Sequence, residues 1–364
     1  MITRVGIIGL GYWGPNLVRT FDSLPDVKVT ALCDRDTERL RQLTSRFPHL
    51  HATDQAEELL SRDLVDAVVI ATPTGTHYAL AKRALERGLH TFVEKPLATT
   101  SAECEELIEL AHTQGAQLFV GHVFLYTAAV AKLKELIENE ELGELCYISS
   151  TRLNLGPVRK DVNALWDLAP HDISIILHLV GSLPTSVNCQ GVAYLNRRIH
   201  DVCSLTMHFP SGLMAIIHIS WLDPNKTRRM TIVGNRQMAV YDDVDPLEKV
   251  KIYDKGVEAP AYPTDFAEFQ FSYRYGDTRS PRLIEEEPLR TECKHFIDCI
   301  QQGLQPKTDG RNGLDVVRVL EAADISLHDS GGRVYLEAQS ELSILNPATP
   351  IRMWNPPSPR IAHA

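Results

Sequence analysis

What this chain lacks narrows its chemistry before any motif is read. Its cysteines are few, at 33, 104, 146, 189, 203, 293 and 299. None is spaced C-x-x-C, and seven scattered thiols argue for reduced cysteines and against both a disulfide framework and a zinc cluster. No metal site is expected. No run approaches the roughly 18 consecutive apolar residues of a membrane helix. The opening MITRVGIIGL leads into a strand pattern and carries no signal-peptide signature, so a cytoplasmic protein without membrane association is expected. Long basic runs are also missing, and a formal net charge of −10 speaks against nucleic acid as a partner. Internal repeats and low-complexity tracts are absent as well. Small molecules are the expected ligands.

What is present is enough apolar residue for two cores: 364 residues, 44% of them hydrophobic. From 1 to about 122, short β-branched runs (RVGIIG, VKVTALCD, VDAVVIAT, HTFVE, QLFVGH) alternate with amphipathic segments such as 76–88 and 101–115. That alternation predicts a parallel sheet with crossover helices. After a helical stretch at 128–139 the pattern changes. Segments 145–155, 186–194, 201–209, 213–221, 228–234 and 237–241 are strand-like, several with period-2 alternation, and only a helix over 167–180 interrupts them. This predicts a largely antiparallel sheet. Residues 254–287 mix Tyr262, Phe266, Phe269, Phe271, Tyr273 and Tyr275 with Pro, Gly and charges, which reads as a long loop that covers a nucleotide base or seals a subunit interface. Helices over 289–302 and 313–329, a strand-like RVYLEAQ and a proline-bearing tail close the chain. The expected division is 1–122, 123–346 and a tail at 347–364.

VGIIGLGYWG sets Gly9, Gly11 and Gly14 as G-x-G-x-x-G, with Leu10, Tyr12 and Trp13 between them, directly after a strand and before a helix. The first glycine allows a tight turn, the second lets backbone approach a pyrophosphate, and the third lets helix and sheet pack closely. The pyrophosphate would sit at a positive helix N-terminus. Asp34 ends the next strand, twenty residues past Gly14, where a carboxylate accepts from the adenosine ribose hydroxyls. That favours NAD; Arg35 beside it would meet the 2′-phosphate of NADP, the alternative cofactor.

ATPTGTH at 71–77 and FVEKP at 92–96 follow the next two buried strands, where ligands of an open α/β sheet bind. Thr72, Pro73 and His77 line the nicotinamide-ribose side or merely make a turn and a helix cap. Glu94 and Lys95 face the same crevice, and His122 follows the last strand of the series. Further on, ALWDLAPHDISIILHL places Asp167 and His171 four apart. A helix beginning near Asp167 brings both onto one face, and Pro170 is then tolerated in its first turn. Asp167 as an N-terminal cap or helix-dipole partner, with His171 as a hydrogen-bonded core histidine, is the plainer alternative. Arg152, Asn154, Asn163 and Trp166 are candidates for sugar hydroxyls or a diphosphate, with structural roles equally open.

GLGYWG, CDRD, ATPTGTH, EKP and WDLAPHD, in this order, resemble the Gfo/Idh/MocA family of sugar and inositol dehydrogenases over most of the chain. The resemblance implies a Rossmann domain followed by an α+β domain with an open, mainly antiparallel sheet whose free face makes a homodimer or homotetramer. It implies catalytic roles for Lys95 and for the Asp167/His171 pair. His171 would take the hydroxyl proton as hydride leaves carbon, Asp167 would orient its imidazole, and Lys95 would stabilise the reacting oxygen. Ala169 stands where the family's D-x-G-x-H has glycine, which looks like a subgroup acting on nucleotide-linked sugars such as a UDP-N-acetylhexosamine, its uronate or a dTDP-keto sugar. The alternatives are a free sugar or inositol dehydrogenase, an NAD-dependent glycoside hydrolase with transient oxidation, and a non-catalytic NAD-sensing scaffold. The presence of Lys95 together with the Asp/His pair counts against the scaffold, because binding alone needs none of them.

Overall fold

The computed structural model describes residues 2–258, 272–284 and 286–336. Packing divides the chain into two units, Met1–Thr127 with Glu285–Glu321, and Ala128–Ile284 with Ala322–Ala364. The first holds a six-stranded parallel sheet of β1 (Thr3–Ile8), β2 (Val27–Cys33), β3 (His51–Thr53), β4 (Ala67–Ile70), β5 (His90–Glu94) and β6 (Leu118–Gly121), in the order β3-β2-β1-β4-β5-β6. Sequence order reverses on either side of β1, which makes the crevice beyond the carboxyl ends of β1 and β4 the ligand position of this architecture. Strands covered on both faces explain the unbroken apolar runs: Val5, Ile7 and all four residues of β4 are fully buried.

Helices α1 (Gly14–Asp22), α2 (Thr37–Thr44), α3 (Ala56–Leu59), α4 (His77–Glu86) and α5 (Ser101–Gln114) make the crossovers. Their ends follow local chemistry. Pro15 sits at the start of α1, where no hydrogen bond is lost. Asp36 accepts from the Glu38 and Arg39 amides to cap α2, and Thr100 with Glu103 forms a reciprocal capping box on α5.

The second unit is built on nine strands among the described residues: β7 (Leu145–Leu155), β8 (Ser186–Val192), β9 (Val202–His208), β10 (Met214–Ser220), β11 (Leu222–Gly234), β12 (Met238–Asp242), β13 (Val250–Glu258), β14 (Ser272–Arg279) and β15 (Val334–Tyr335). Their order is β14-β13-β12-β11-β7-β10-β9-β8-β15, antiparallel throughout except for the β7–β10 pair. The helices α6 (Ala128–Glu138) and α7 (Ala164–Val180) belong to this unit. Alternation along β10 shows the two faces: Ala215, Ile217 and Ile219 are fully buried, while Met214, Ile216 and His218 are exposed or half-buried.

Three expectations are corrected. α7 begins at Ala164, capped by the Asn163 side chain on the Trp166 amide, so Asp167 is not the cap and Pro170 lies in the helix interior. An interior proline costs about 3 kcal/mol; twelve buried residues on this helix supply the packing that offsets it. The 254–287 segment is not simply a loop, since β13 runs into it and β14 lies within it as its antiparallel partner, with stacked Tyr273 and Tyr275 rings. Tyr262, Phe266, Phe269 and Phe271 lie outside the described residues, as do Leu336's successors in RVYLEAQ and the tail at 347–364.

The third correction concerns α8 (Pro288–Gln302), which sequence order places in the second domain. Leu289, Cys293, Phe296 and Ile297 are buried in one cluster with Phe21, Phe92 and Phe119 of the first unit. Phe296 meets Phe119 at 5.3 Å and Phe92 at 5.6 Å between ring centres, both edge to face. The apolar stripe of α8 needed a partner, and the first sheet supplies it. α9 (Gly310–His328) contains the division at Glu321.

Candidate active site

The glycine loop is shaped by contacts that admit no side chain. Gly9 takes φ +96°, and a Cβ there would stand 2.6 Å from the Ala71 carbonyl oxygen. A Cβ on Gly14 would stand 2.3 Å from the Gly9 carbonyl oxygen. The turn therefore folds against both the start of α1 and the loop after β4. Asp34 holds it from the third side: Oδ2 accepts from the Leu10 amide at 2.6 Å and Oδ1 from the Asp36 amide at 2.8 Å. A carboxylate has about four acceptor sites, so these two bonds leave capacity for ribose hydroxyls. The cradle and the carboxylate fit a dinucleotide. Gly11, Tyr12 and Trp13 form the outer rim, with Tyr12 exposed and edge to face with Trp13. Arg35 is exposed, whereas Arg39, which the sequence did not single out, places Nη1 3.7 Å from the Cβ position of Gly11.

Because the Gly14 obstruction is backbone, no rotamer relieves it. Gly14→Ala is expected to weaken NAD binding by about ten- to a hundredfold, read by calorimetric titration with a melting curve as the folding control. Unchanged affinity would show that the loop tolerates opening.

Beyond β4, β5 and β6 the chain sets out Thr72, Lys95 and His122. The Thr72 hydroxyl accepts from the Thr76 hydroxyl at 2.8 Å, and Pro73 leads the turn into α4. Glu94 packs on Gly121, its register partner in β6, where a Cβ would come within 3.1 Å of Oε2. Burial pushes the Glu94 carboxyl up to about 7, with the Lys95 ammonium pulling the other way. His122 is driven down to about 3 by burial, and the Lys95 charge adds to the shift. The Lys95 amine thus acts on both Glu94 and His122.

Glu292 of α8, missed by sequence reasoning, is buried, and burial together with Glu94 holds its carboxyl well above the usual range. It gave no signal of its own, being one acidic residue on an amphipathic helix. His77 and His122 are corrected as direct cofactor contacts. Both ring nitrogens of His77 are engaged by backbone carbonyls, and those of His122 are sealed from solvent.

In the second unit, Asp167 lies in the first turn of α7, where a negative charge is favoured by the helix dipole. Its Oδ2 accepts from Trp221 Nε1 at 3.0 Å, and its Oδ1 accepts from Arg159 Nη1 at 3.2 Å. Arg159 also forks onto Asp161 through Nε at 3.0 Å and Nη2 at 2.5 Å. Two donors fix the carboxylate, and sequence reasoning singled out neither. His171, one turn on, is half-buried on the same helix.

Two of the substrate candidates have other work. Arg152 is 4% exposed, and its Nε donates to Asp172 Oδ2 at 2.5 Å while the Ser150 hydroxyl donates to Asp172 Oδ1 at 2.7 Å. It anchors the sheet to α7 from inside the core. Asn163 caps α7 and its amide nitrogen donates to Asp324 at 3.3 Å. Asn154 and Trp166 remain half-buried. Among the described residues no His/Cys/Asp/Glu group could hold a metal ion, and no helix is long and apolar enough to cross a membrane.

Comparison with known proteins gives this geometry a lineage. Residues 3–122 match the oxidoreductase family with an NAD-binding Rossmann fold, and residues 130–240 match the GFO/IDH/MocA C-terminal domain. UDP-N-acetylglucosamine 3-dehydrogenase of Acidithiobacillus ferrooxidans is 28% identical over 322 residues, covering 88% of this chain and 95% of that protein. Myo-inositol 2-dehydrogenase of Thermotoga maritima is 25% identical over 337 residues, covering 90% of this chain and 96% of that protein. The solved structure of UDP-N-acetylglucosamine 3-dehydrogenase GnnA from Acidithiobacillus ferrooxidans superimposes with a TM-score of 0.77 at 25% identity, covering 91% and 99% of the two chains. With an NAD-binding cradle in its first unit and the matching C-terminal domain in its second, the chain belongs to the GFO/IDH/MocA family of oxidoreductases.

Proposed function

We propose that the protein transfers a hydride between NAD and a secondary alcohol or ketone of a sugar, most fittingly a nucleotide-linked one. The observation that carries the chemistry is the fixed state of Asp167, whose carboxylate is held by Trp221 and Arg159 one helical turn from His171. Gly9, Gly11, Gly14 and Asp34 hold the dinucleotide, with NAD favoured over NADP by the Asp34 carboxylate. The bound nicotinamide supplies the hydride acceptor or donor. His171 takes the hydroxyl proton during oxidation and returns it during reduction, Asp167 sets the orientation and charge of its imidazole, and the Lys95 ammonium stabilises negative charge growing on the substrate oxygen. Similarity to UDP-N-acetylglucosamine 3-dehydrogenase supports the nucleotide-linked substrate. A cytoplasmic location, and self-association through the face carrying Tyr147, Met214 and Ile216, belong to the same reading.

A second reading, oxidation of a free inositol, is favoured by the myo-inositol 2-dehydrogenase relative. Absorbance at the NADH band, recorded with NAD or NADP and a panel of UDP- and dTDP-sugars beside free hexoses and inositols, separates the two. NADH formation with a UDP-sugar is expected. A signal confined to inositols would replace the substrate class. Silence across the panel from protein that binds NAD would reject net dehydrogenation and favour oxidation that is reversed within the same turnover.

A further inference from the structure

One imidazole joins the loops that leave β4 and β5. His77 is 1% exposed, with Nδ1 2.8 Å from the Pro96 carbonyl oxygen and Nε2 2.8 Å from the Thr72 carbonyl oxygen. Pro96 is the residue directly after Lys95. Thr72 in turn abuts the glycine loop, its amide nitrogen 2.8 Å from the Cβ position of Gly9. A continuous path of contacts therefore runs from the pyrophosphate cradle through Thr72 and the His77 ring to the backbone that carries Lys95. Both partners of the ring are acceptors, so a ring with a proton on each nitrogen donates to both carbonyls and a neutral ring donates to one.

We propose that His77 is a positioning residue whose ring sets the placement of Lys95 relative to the glycine loop. The inference rests on the reading that Lys95 meets the bound dinucleotide. His77 itself touches no ligand; it acts through Pro96 on one side and Thr72 on the other. A buried carbonyl that loses its donor must find another, and the backbone that bears it shifts accordingly. Lys95 is attached to that backbone.

Side-chain amides separate the two arms, because the Asn nitrogen reaches the position of Nδ1 and the Gln nitrogen that of Nε2. The test is acetylation of Lys95 by an N-hydroxysuccinimide ester, read by peptide mass spectrometry with and without NAD, alongside calorimetric NAD affinity and melting curves. In the unaltered protein, NAD at about ten times its Kd is expected to slow Lys95 labelling about tenfold. His77→Phe is expected to lose that protection while its NAD affinity stays within about threefold. His77→Asn, keeping the Pro96 arm, should retain protection; His77→Gln, keeping only the Thr72 arm, should lose it. Equal protection in all four proteins, or Asn and Gln variants that behave alike, would overturn the inference. Absent protection in the unaltered protein would remove the reading of Lys95 beneath it, which is a distinct result from loss in the variants alone.

Discussion

His171→Ala is expected to slow hydride transfer by about 100- to 10,000-fold. The loss should fall on single-turnover NADH formation and on kcat, with NAD affinity unchanged, because the groups that would hold the dinucleotide, the glycine loop and Asp34, belong to the first unit and α7 to the second. The magnitude follows from the chemistry. Breaking the carbinol C–H bond while the hydroxyl proton stays in place leaves a protonated carbonyl, and a base at hydrogen-bond distance removes that barrier. Asp167 does not substitute for the missing imidazole, since Trp221 and Arg159 hold its carboxylate where it is. Single-turnover absorbance with the substrate found in the panel measures the effect. A variant that transfers hydride at the unaltered rate would remove His171 from the mechanism and leave it as a half-buried helix residue.

Asp172→Ala is expected to cost about 3–5 kcal/mol of stability, against a typical total of about 5–15 kcal/mol. Asp172 is 3% exposed and binds both Arg152 and Ser150, so alanine leaves a guanidinium in the core without its counter-charge. Urea unfolding, followed by tryptophan fluorescence, reads the change. Desolvation of two charges opposes their attraction, so replacing both partners together, as Arg152→Met with Asp172→Leu, should recover most of the loss. If the single and the double variants are equally unstable, the cost lies in packing volume and the ion pair is not its source.

These two residues are neighbours in sequence and differ in what made them visible. His171 stood out because its i,i+4 spacing from Asp167 is a property of one helix, readable before any tertiary contact forms. Asp172 did not, because its partner is Arg152 on β7, twenty residues earlier, and nothing local says that an Asp in an apolar run has found a guanidinium. Arg152 stayed open between a ligand contact and a structural role for the same reason. Its charge fitted either role, and the pairing with Asp172 gives it the structural one. Trp221 was invisible as a donor to Asp167, since a lone tryptophan at a strand end is ordinary until a carboxylate faces it.

The sequence by itself determined the parallel sheet, the glycine cradle and Asp34. Strands buried on both faces must be apolar throughout, a turn with φ +96° at Gly9 needs glycine, and each of these is a local requirement. It determined likewise the alternating strands of the second sheet, whose two faces meet different surroundings. Tertiary structure alone decided that α8 packs with the first sheet, that Pro170 is tolerated inside α7, that His77 braces two loops, and which charges meet in the core. Each of those depends on contacts between residues far apart in the chain, where an apolar stripe or a lone charge specifies that a partner is needed and leaves its identity to packing.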